Sequence, residues 1–257
     1  MKYILLSSIV LSCVVISCSN EKEPRYTETN LQEKNKVAVE MDDNKQSLKS
    51  LLDAKKGAFE LKADDNKKKI YKAGIDAVET SGILDKALNV GDIAPNFVLQ
   101  NAMGKPVELY EFLKKGKVIL TWYRGGWCPY CNLTLNELQS ELPNFEANGA
   151  NLIALTPELP DSSMSTAEKL NLEFEVLSDV GNKVAKEFNI VFKLTSDVAD
   201  SYNKAFDMNG YNGDESNELP LPATYIINED GRIIYAFLNA DYRNRAEPSE
   251  LTEILKK

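Results

Sequence analysis

The chain has 257 residues, room for one ordinary domain with extensions or for two small domains. Its formal net charge is −9, from 30 Lys and Arg against 39 Asp and Glu, which argues against nucleic acid as a partner because phosphate binding needs clustered cations. It has no histidine, which excludes Ser-His-Asp and Cys-His nucleophilic systems and His-ligated zinc or haem, so any proton transfer must use carboxylates, thiols, Tyr, Lys or water.

In chain order, a single positive charge at Lys2 precedes an almost wholly apolar run from Tyr3 to Val15. That run is too short for a comfortable membrane span and reads as a secretory signal over residues 1–17. The ending Val15-Ile16-Ser17-Cys18 resembles the processing site of bacterial lipoproteins. The resemblance implies a lipidated Cys18 and a cell-envelope location, periplasmic or on the outer-membrane surface; an ordinary cleaved signal is the alternative. Residues 18–45 are polar, charged and aperiodic, as a flexible tether is.

From 46 to 88, Leu48, Leu51, Leu52, Ala58 and Leu61, then Ile70, Ala73 and Ala77, recur at near-helical spacing between Lys-rich faces. They predict a helical extension packed on the domain or on a second copy of it. From 89 onward the pattern changes. Residues 97–100 read as a strand, 101–105 as a turn, 107–109 as extended and 109–113 as helical. The run from Val118 to Tyr123 is apolar, branched and aromatic, as a central strand requires. A helix is predicted over 131–145, a strand over 151–155, a short helix over 166–172, a strand over 175–178 and a helix over 180–188. Residues 197–218 read as a loop and helix. Strands over 223–227 and 232–237 flank the turn Asn228-Glu229-Asp230-Gly231, and 249–256 is a final helix. This order predicts an α/β fold over 89–257, with a mixed central sheet flanked by helices.

Of four cysteines, Cys13 and Cys18 fall in the leader, leaving Cys128 and Cys131 for chemistry. They stand in Tyr123-Arg124-Gly125-Gly126-Trp127-Cys128-Pro129-Tyr130-Cys131-Asn132, between an apolar strand and an amphipathic helix, the context in which Cys-x-x-Cys reads as a redox pair. Unpaired N–H groups and the helix dipole lower a thiol pKa at such a position, and Arg124 adds positive charge. Two cysteines at this spacing can exchange with a disulfide, or reduce a peroxide through a sulfenic acid. Structural zinc needs about four ligands and finds only two sulfurs; a purely structural disulfide closing so short a loop restrains the unfolded chain little. The pair thus calls for neither metal nor cofactor, and requires sulfurs that solvent can reach.

Four stretches resemble the AhpC/TSA family of peroxiredoxin-like proteins: Gly91 to Phe97, Tyr123 to Cys131, Leu219 to Tyr225 and Asp241 to Pro248. The resemblance, spanning about 48 to 255, implies a thioredoxin-like fold, thiol-dependent reduction of hydroperoxides and recycling by a thioredoxin-like donor. In such folds a cis-proline packs against the Cys-x-x-Cys pair, which nominates Pro222. The family's active loop reads Pro-x-x-x-Thr-x-x-Cys; on it Cys131 takes the peroxidatic position, Cys128 falls on the threonine and Arg124 on the proline. The family's late arginine falls on Pro222, so Arg124 or Arg245 would have to replace its guanidinium. Thioredoxin logic makes Cys128 the attacking sulfur and peroxiredoxin logic makes it Cys131. The acid that thioredoxins bury in the strand before the pair is missing from Val118 to Tyr123. Trp127, Tyr123 and Tyr130 are expected to flank the pair. Rival readings are a thiol–disulfide oxidoreductase acting on exported proteins and a redox-inactive binding lipoprotein.

Overall fold

The computed structural model describes residues 46–257 apart from Ala102, and among these Ser47 starts the first helix. The predicted signal peptide, Cys18 and the tether over 18–45 lie outside the described residues. The Ser47 hydroxyl accepts the Ser50 N–H at 3.2 Å and so satisfies one of the unpaired donors of α1 (Leu48–Lys62). Glu247 satisfies two more, its carboxylate accepting from Leu48 N at 2.9 Å and Lys49 N at 3.0 Å. Two residues later Asp64 caps α2 (Asp65–Glu79) by accepting the Lys67 N–H at 2.8 Å. The Phe59 and Tyr71 rings stack across the turn at 5.5 Å, so the two helices form a hairpin. A single turn, α3 (Ile83–Lys86), leads into the sheet domain.

A small antiparallel ladder of β1 (Val98–Gln100) and β2 (Pro106–Glu108) precedes α4 (Leu109–Leu113). Then come β3 (Lys117–Trp122), α5 (Pro129–Ala147), β4 (Ala150–Thr156), α6 (Pro160–Lys169), β5 (Glu175–Ser178) and α7 (Lys183–Glu187). A second short ladder pairs β6 (Val191–Lys193) with β7 (Glu218–Pro220), and between them run α8 (Ser196–Phe206) and α9 (Met208–Asn212). The chain closes with β8 (Thr224–Ile227), β9 (Ile233–Phe237) and α10 (Pro248–Leu255). The main sheet has the order β5-β4-β3-β8-β9; β3, β4 and β5 are parallel, and β8 and β9 antiparallel to their neighbours. This is the predicted mixed sheet, with β3 at its centre.

β3 is buried on both faces, and its alternation divides the core in two. Val118, Leu120 and Trp122 enter one cluster, where Trp122 meets Phe188 at 4.8 Å and Tyr225 at 5.9 Å. Ile119 and Tyr123 enter the other, with Leu135, Leu138 and Phe145 of α5. Leu48 and Leu52 of α1 join this second cluster, and α2 reaches α8 through the Tyr71 hydroxyl, 3.2 Å from Ser201 Oγ. Burying one such side chain contributes about 1.5–3 kcal/mol, so the hairpin is held by packing and not by its caps alone.

Some boundaries differ from the sequence expectation. α6 begins at Pro160, six residues before the predicted start, because proline is favourable at the first helical position, and it has ended before Asn171 turns left-handed at φ 50°. α7 is shorter than predicted because Gly181 and Asn182 both adopt positive φ. The β6–β7 ladder was not expected; Pro220 forms its outer end, a position where a missing N–H is tolerated.

Candidate active site

β3 delivers Tyr123 and Arg124 to a loop that turns directly into α5. Cys128 is the N-cap and Pro129 the first helical residue; Cys131 lies in the first turn. Cys128 N donates to Gly125 O at 3.0 Å, and the Asn132 side chain donates to Gly126 O at 2.9 Å, fixing the loop at both ends. Gly125 has φ 147°, and a Cβ there would overlap the Trp127 ring. A Cβ on Gly126 would strike the Thr166 hydroxyl of α6. Both glycines are therefore demanded by close approach.

Cys128 and Cys131 are free thiols, 1% and 0% exposed. Cys131 Sγ accepts from Arg124 N at 3.5 Å and from Arg245 Nη2 at 3.5 Å. Burial by itself pushes the Cys131 thiol up, but the Cys128 S–H donating to it, the charges of Arg245 and Arg124 and the Arg124 N–H together hold it well below the ordinary thiol value. Burial pushes Cys128 up, and the hydrogen bond and charge of Cys131 push it further. The two directions together favour Cys131 over Cys128 as the anionic member of the coupled pair.

The Arg124 guanidinium is 1% exposed and lies 3.9 Å from the Tyr242 ring centre, 5.0 Å from Tyr202 and 5.1 Å from Trp127. Its Nε and Nη1 have no hydrogen-bond partner among the described residues. Burial opposes its charge, yet the surrounding tyrosines and thiols keep it protonated. Cation–π contacts contribute about 0.5–2 kcal/mol each. Burying an unpaired cation costs several kcal/mol, so the three rings do not suffice and the anionic sulfur is needed.

Glu158, two residues beyond β4, is fully buried and accepts the Gly126 N–H at 2.9 Å. The Thr156 hydroxyl lies at 3.4 Å from its other oxygen. Burial pushes its carboxyl up to about 7, against the lowering effect of the Gly126 N–H, the Tyr123 hydroxyl and Thr156. An acid absent from β3 is thus supplied by the next strand. The available signal was Thr156-Pro157-Glu158 at the carboxyl end of a parallel strand, where open α/β sheets gather their sites. Tyr202 and Tyr242, on α8 and in the segment before α10, were not singled out from the sequence as cage residues.

Of the residues nominated from sequence, Cys128, Cys131, Arg124, Trp127 and Arg245 converge. Tyr130 meets the Tyr242 ring edge-on at 5.7 Å; Tyr123 instead faces Glu158. Pro222 is buried beside Ala223, whose carbonyl accepts from Trp122 N at 2.9 Å. The expectation of solvent-reached sulfurs needs correction. The helical hairpin roofs the loop, and only Cys128 opens onto a partly enclosed cavity of about 130 Å³. Among the described residues, no group of His, Cys, Asp and Glu is arranged to hold a metal.

Sheet order, helix placement and a Cys-x-x-Cys pair at the mouth of α5 define a thioredoxin-like α/β protein. Residues 90–236 match the AhpC/TSA family, and the chain belongs to it. It is 24% identical over 174 residues to the thiol-disulfide oxidoreductase ResA of Bacillus thuringiensis subsp. konkukian, covering 67% of this chain and 80% of that one. It is 28% identical over 179 residues to the chloroplastic peroxiredoxin Q of Triticum aestivum, covering 69% and 70%. The fold is also that of peroxidoxin BcpB from Mycobacterium tuberculosis, with TM-score 0.53, 18% identity and coverage of 66% of this chain and 97% of that one.

Proposed function

We propose that the chain is a thiol-dependent oxidoreductase that reduces hydroperoxides through Cys131 and Cys128. The observation that carries this reading is the Cys131 sulfur accepting from Arg124 N and Arg245 Nη2 at 3.5 Å each, contacts that favour its anionic form, with Cys128 three residues before it. The Cys131 thiolate attacks one peroxide oxygen. An S–O bond forms, the O–O bond breaks, and the departing alkoxide takes a proton from solvent and leaves as the alcohol. Cys128 then attacks the sulfenic sulfur; an S–S bond forms, and hydroxide leaves with the thiol proton as water. Two thiols and one hydroperoxide give one disulfide, one alcohol and one water. A thioredoxin-like dithiol donor returns the pair to the reduced state by exchange.

Peroxide added stoichiometrically to wild type, Cys128→Ser and Cys131→Ser, followed by dimedone trapping and mass spectrometry, tests this. Sulfenic acid on Cys131 of Cys128→Ser alone is expected. Adduct on Cys128 of Cys131→Ser, or none on either, overturns the assignment. A second reading, disulfide exchange begun at Cys128, is favoured by that sulfur's place in the cavity wall. Under it, the reduced wild type reduces a protein disulfide readily while peroxide leaves both thiols untouched.

An envelope location with a lipid on Cys18 belongs to the same proposal, supported by Val15-Ile16-Ser17-Cys18. Mass spectrometry of the membrane-extracted protein should find diacylglyceryl on Cys18; an unmodified Cys18 removes it.

A further inference from the structure

The cavity above Cys128 has walls from two sources. Arg124, Trp127, Tyr202, Phe206 and Tyr242 come from the sheet domain; Lys55 and Phe59 of α1 and Lys67 and Tyr71 of α2 come from the hairpin. The hairpin lies outside the stretch 90–236 that matches the family. At about 130 Å³ the cavity is slightly smaller than the ~150 Å³ known to hold one benzene ring in an apolar site, so it admits a ring and leaves a charged substituent at its mouth. Its sides are flat: Trp127 stacks with Phe206 at 5.6 Å and 20°, and Phe59 with Tyr71 at 5.5 Å and 3°.

Its charge is one-signed. No carboxylate lines it, in a chain whose net charge is −9. Arg124 at its base is 1% exposed with Nε and Nη1 unpartnered. Among the described residues neither Lys55 nor Lys67 forms an ion pair, whereas the neighbouring Lys56 and Arg243 are engaged by Asp241 and Glu60. Two lysines without an ion pair beside stacked rings suit a ligand with a flat apolar body and an acidic group.

We propose that the α1–α2 hairpin makes this cavity a recognition site for an aryl hydroperoxide bearing an acid, its ring between the aromatic walls above the cysteine pair and its anion at the mouth on Lys55 and Lys67. The proposal rests on the peroxidase reading for the ligand's reactive group, but the binding of ring and anion does not. The redox-inert probe is therefore 4-isopropylbenzoate, with neutral isopropylbenzene as control, titrated calorimetrically into the reduced full chain, its Lys55→Met/Lys67→Met double variant and its Phe59→Ala variant. The lysines are partly or fully exposed, so their replacement leaves the fold in place, and circular dichroism checks this.

The benzoate is expected to bind and to slow alkylation of the cysteine pair. The double lysine variant should weaken it about tenfold or more, the scale of a lost charged contact. In turnover, kcat/KM for carboxylated cumene hydroperoxide relative to hydrogen peroxide should fall by a similar factor. No binding, equal binding of the neutral hydrocarbon, or affinity indifferent to all three hairpin positions overturns the proposal. If the benzoate binds as described while no hydroperoxide oxidises the pair, the recognition site stands and the peroxidase reading fails.

Discussion

Arg245 Nη2 stands 3.5 Å from Cys131 Sγ, although the two residues are 114 positions apart in the chain. The contact ties the segment before α10 to the first turn of α5 and places a guanidinium beside a sulfur that cannot be hydrated. An opposite charge at this distance lowers a pKa by about one to three. Arg245→Met should therefore raise the pH midpoint of Cys131 alkylation by about one or more, read from iodoacetamide rates against pH in a Cys128→Ser background. An unchanged midpoint would leave Arg245 with only a structural role.

Glu158 makes stability depend on pH. Its folded-state carboxyl is raised to about 7 by burial, above the 4.5 of a free glutamate, so the folded state binds its proton more tightly than the unfolded state does. This contribution is fully present below pH 4.5 and is lost as pH rises through about 7. The difference amounts to roughly 3 kcal/mol at most. Glu158→Gln keeps an acceptor for the Gly126 N–H without the charge. It should unfold at a higher temperature than wild type at pH 8 and show little difference at pH 4.5. A gap that fails to widen with pH counts against the assignment.

Gly125→Ala should be costly in two ways. A side chain is strained at φ 147°, and the added Cβ meets the Trp127 ring. Strain of this kind costs about 1–3 kcal/mol, a fall in Tm of roughly 2–10 °C for a domain of this size, and moving Trp127 should also slow thiol oxidation. Gly57, where a Cβ meets nothing and the backbone is helical, is the control, with Gly57→Ala expected to be neutral or stabilising.

Glu247 holds the start of the hairpin by accepting two α1 amides. Glu247→Ala removes that cap and should cost about 1 kcal/mol. Amide exchange should accelerate at Leu48 and Lys49 first, while the β3 amides stay protected. Uniform loss of protection would mean that the hairpin and the sheet open as one unit.

Much of this molecule is written locally. The apolar run of β3, the glycine pair, the Cys-Pro-x-Cys start of α5 and the turn between β8 and β9 were legible because period, capping and turn chemistry act over a few residues. At Pro160, a favourable first helical residue, and at Gly181 and Asn182, with positive φ, the boundaries depart from the hydrophobic period. The residues that tune the sulfurs follow another rule. Glu158 meets Gly126 because β4 runs parallel beside β3, and Arg245 meets Cys131 only after β8, β9 and the chain before α10 have folded back.

The sequence by itself determined that a strand would hand two cysteines to a helix within an α/β sheet. Tertiary structure decided which of them the surrounding charges favour as the anion, what lies over them and where the buried acid comes from. Hydrophobic period and helix capping are properties of neighbours in the chain, whereas desolvation and Coulomb interactions depend on distances that only the completed sheet and the roof of α1 and α2 define.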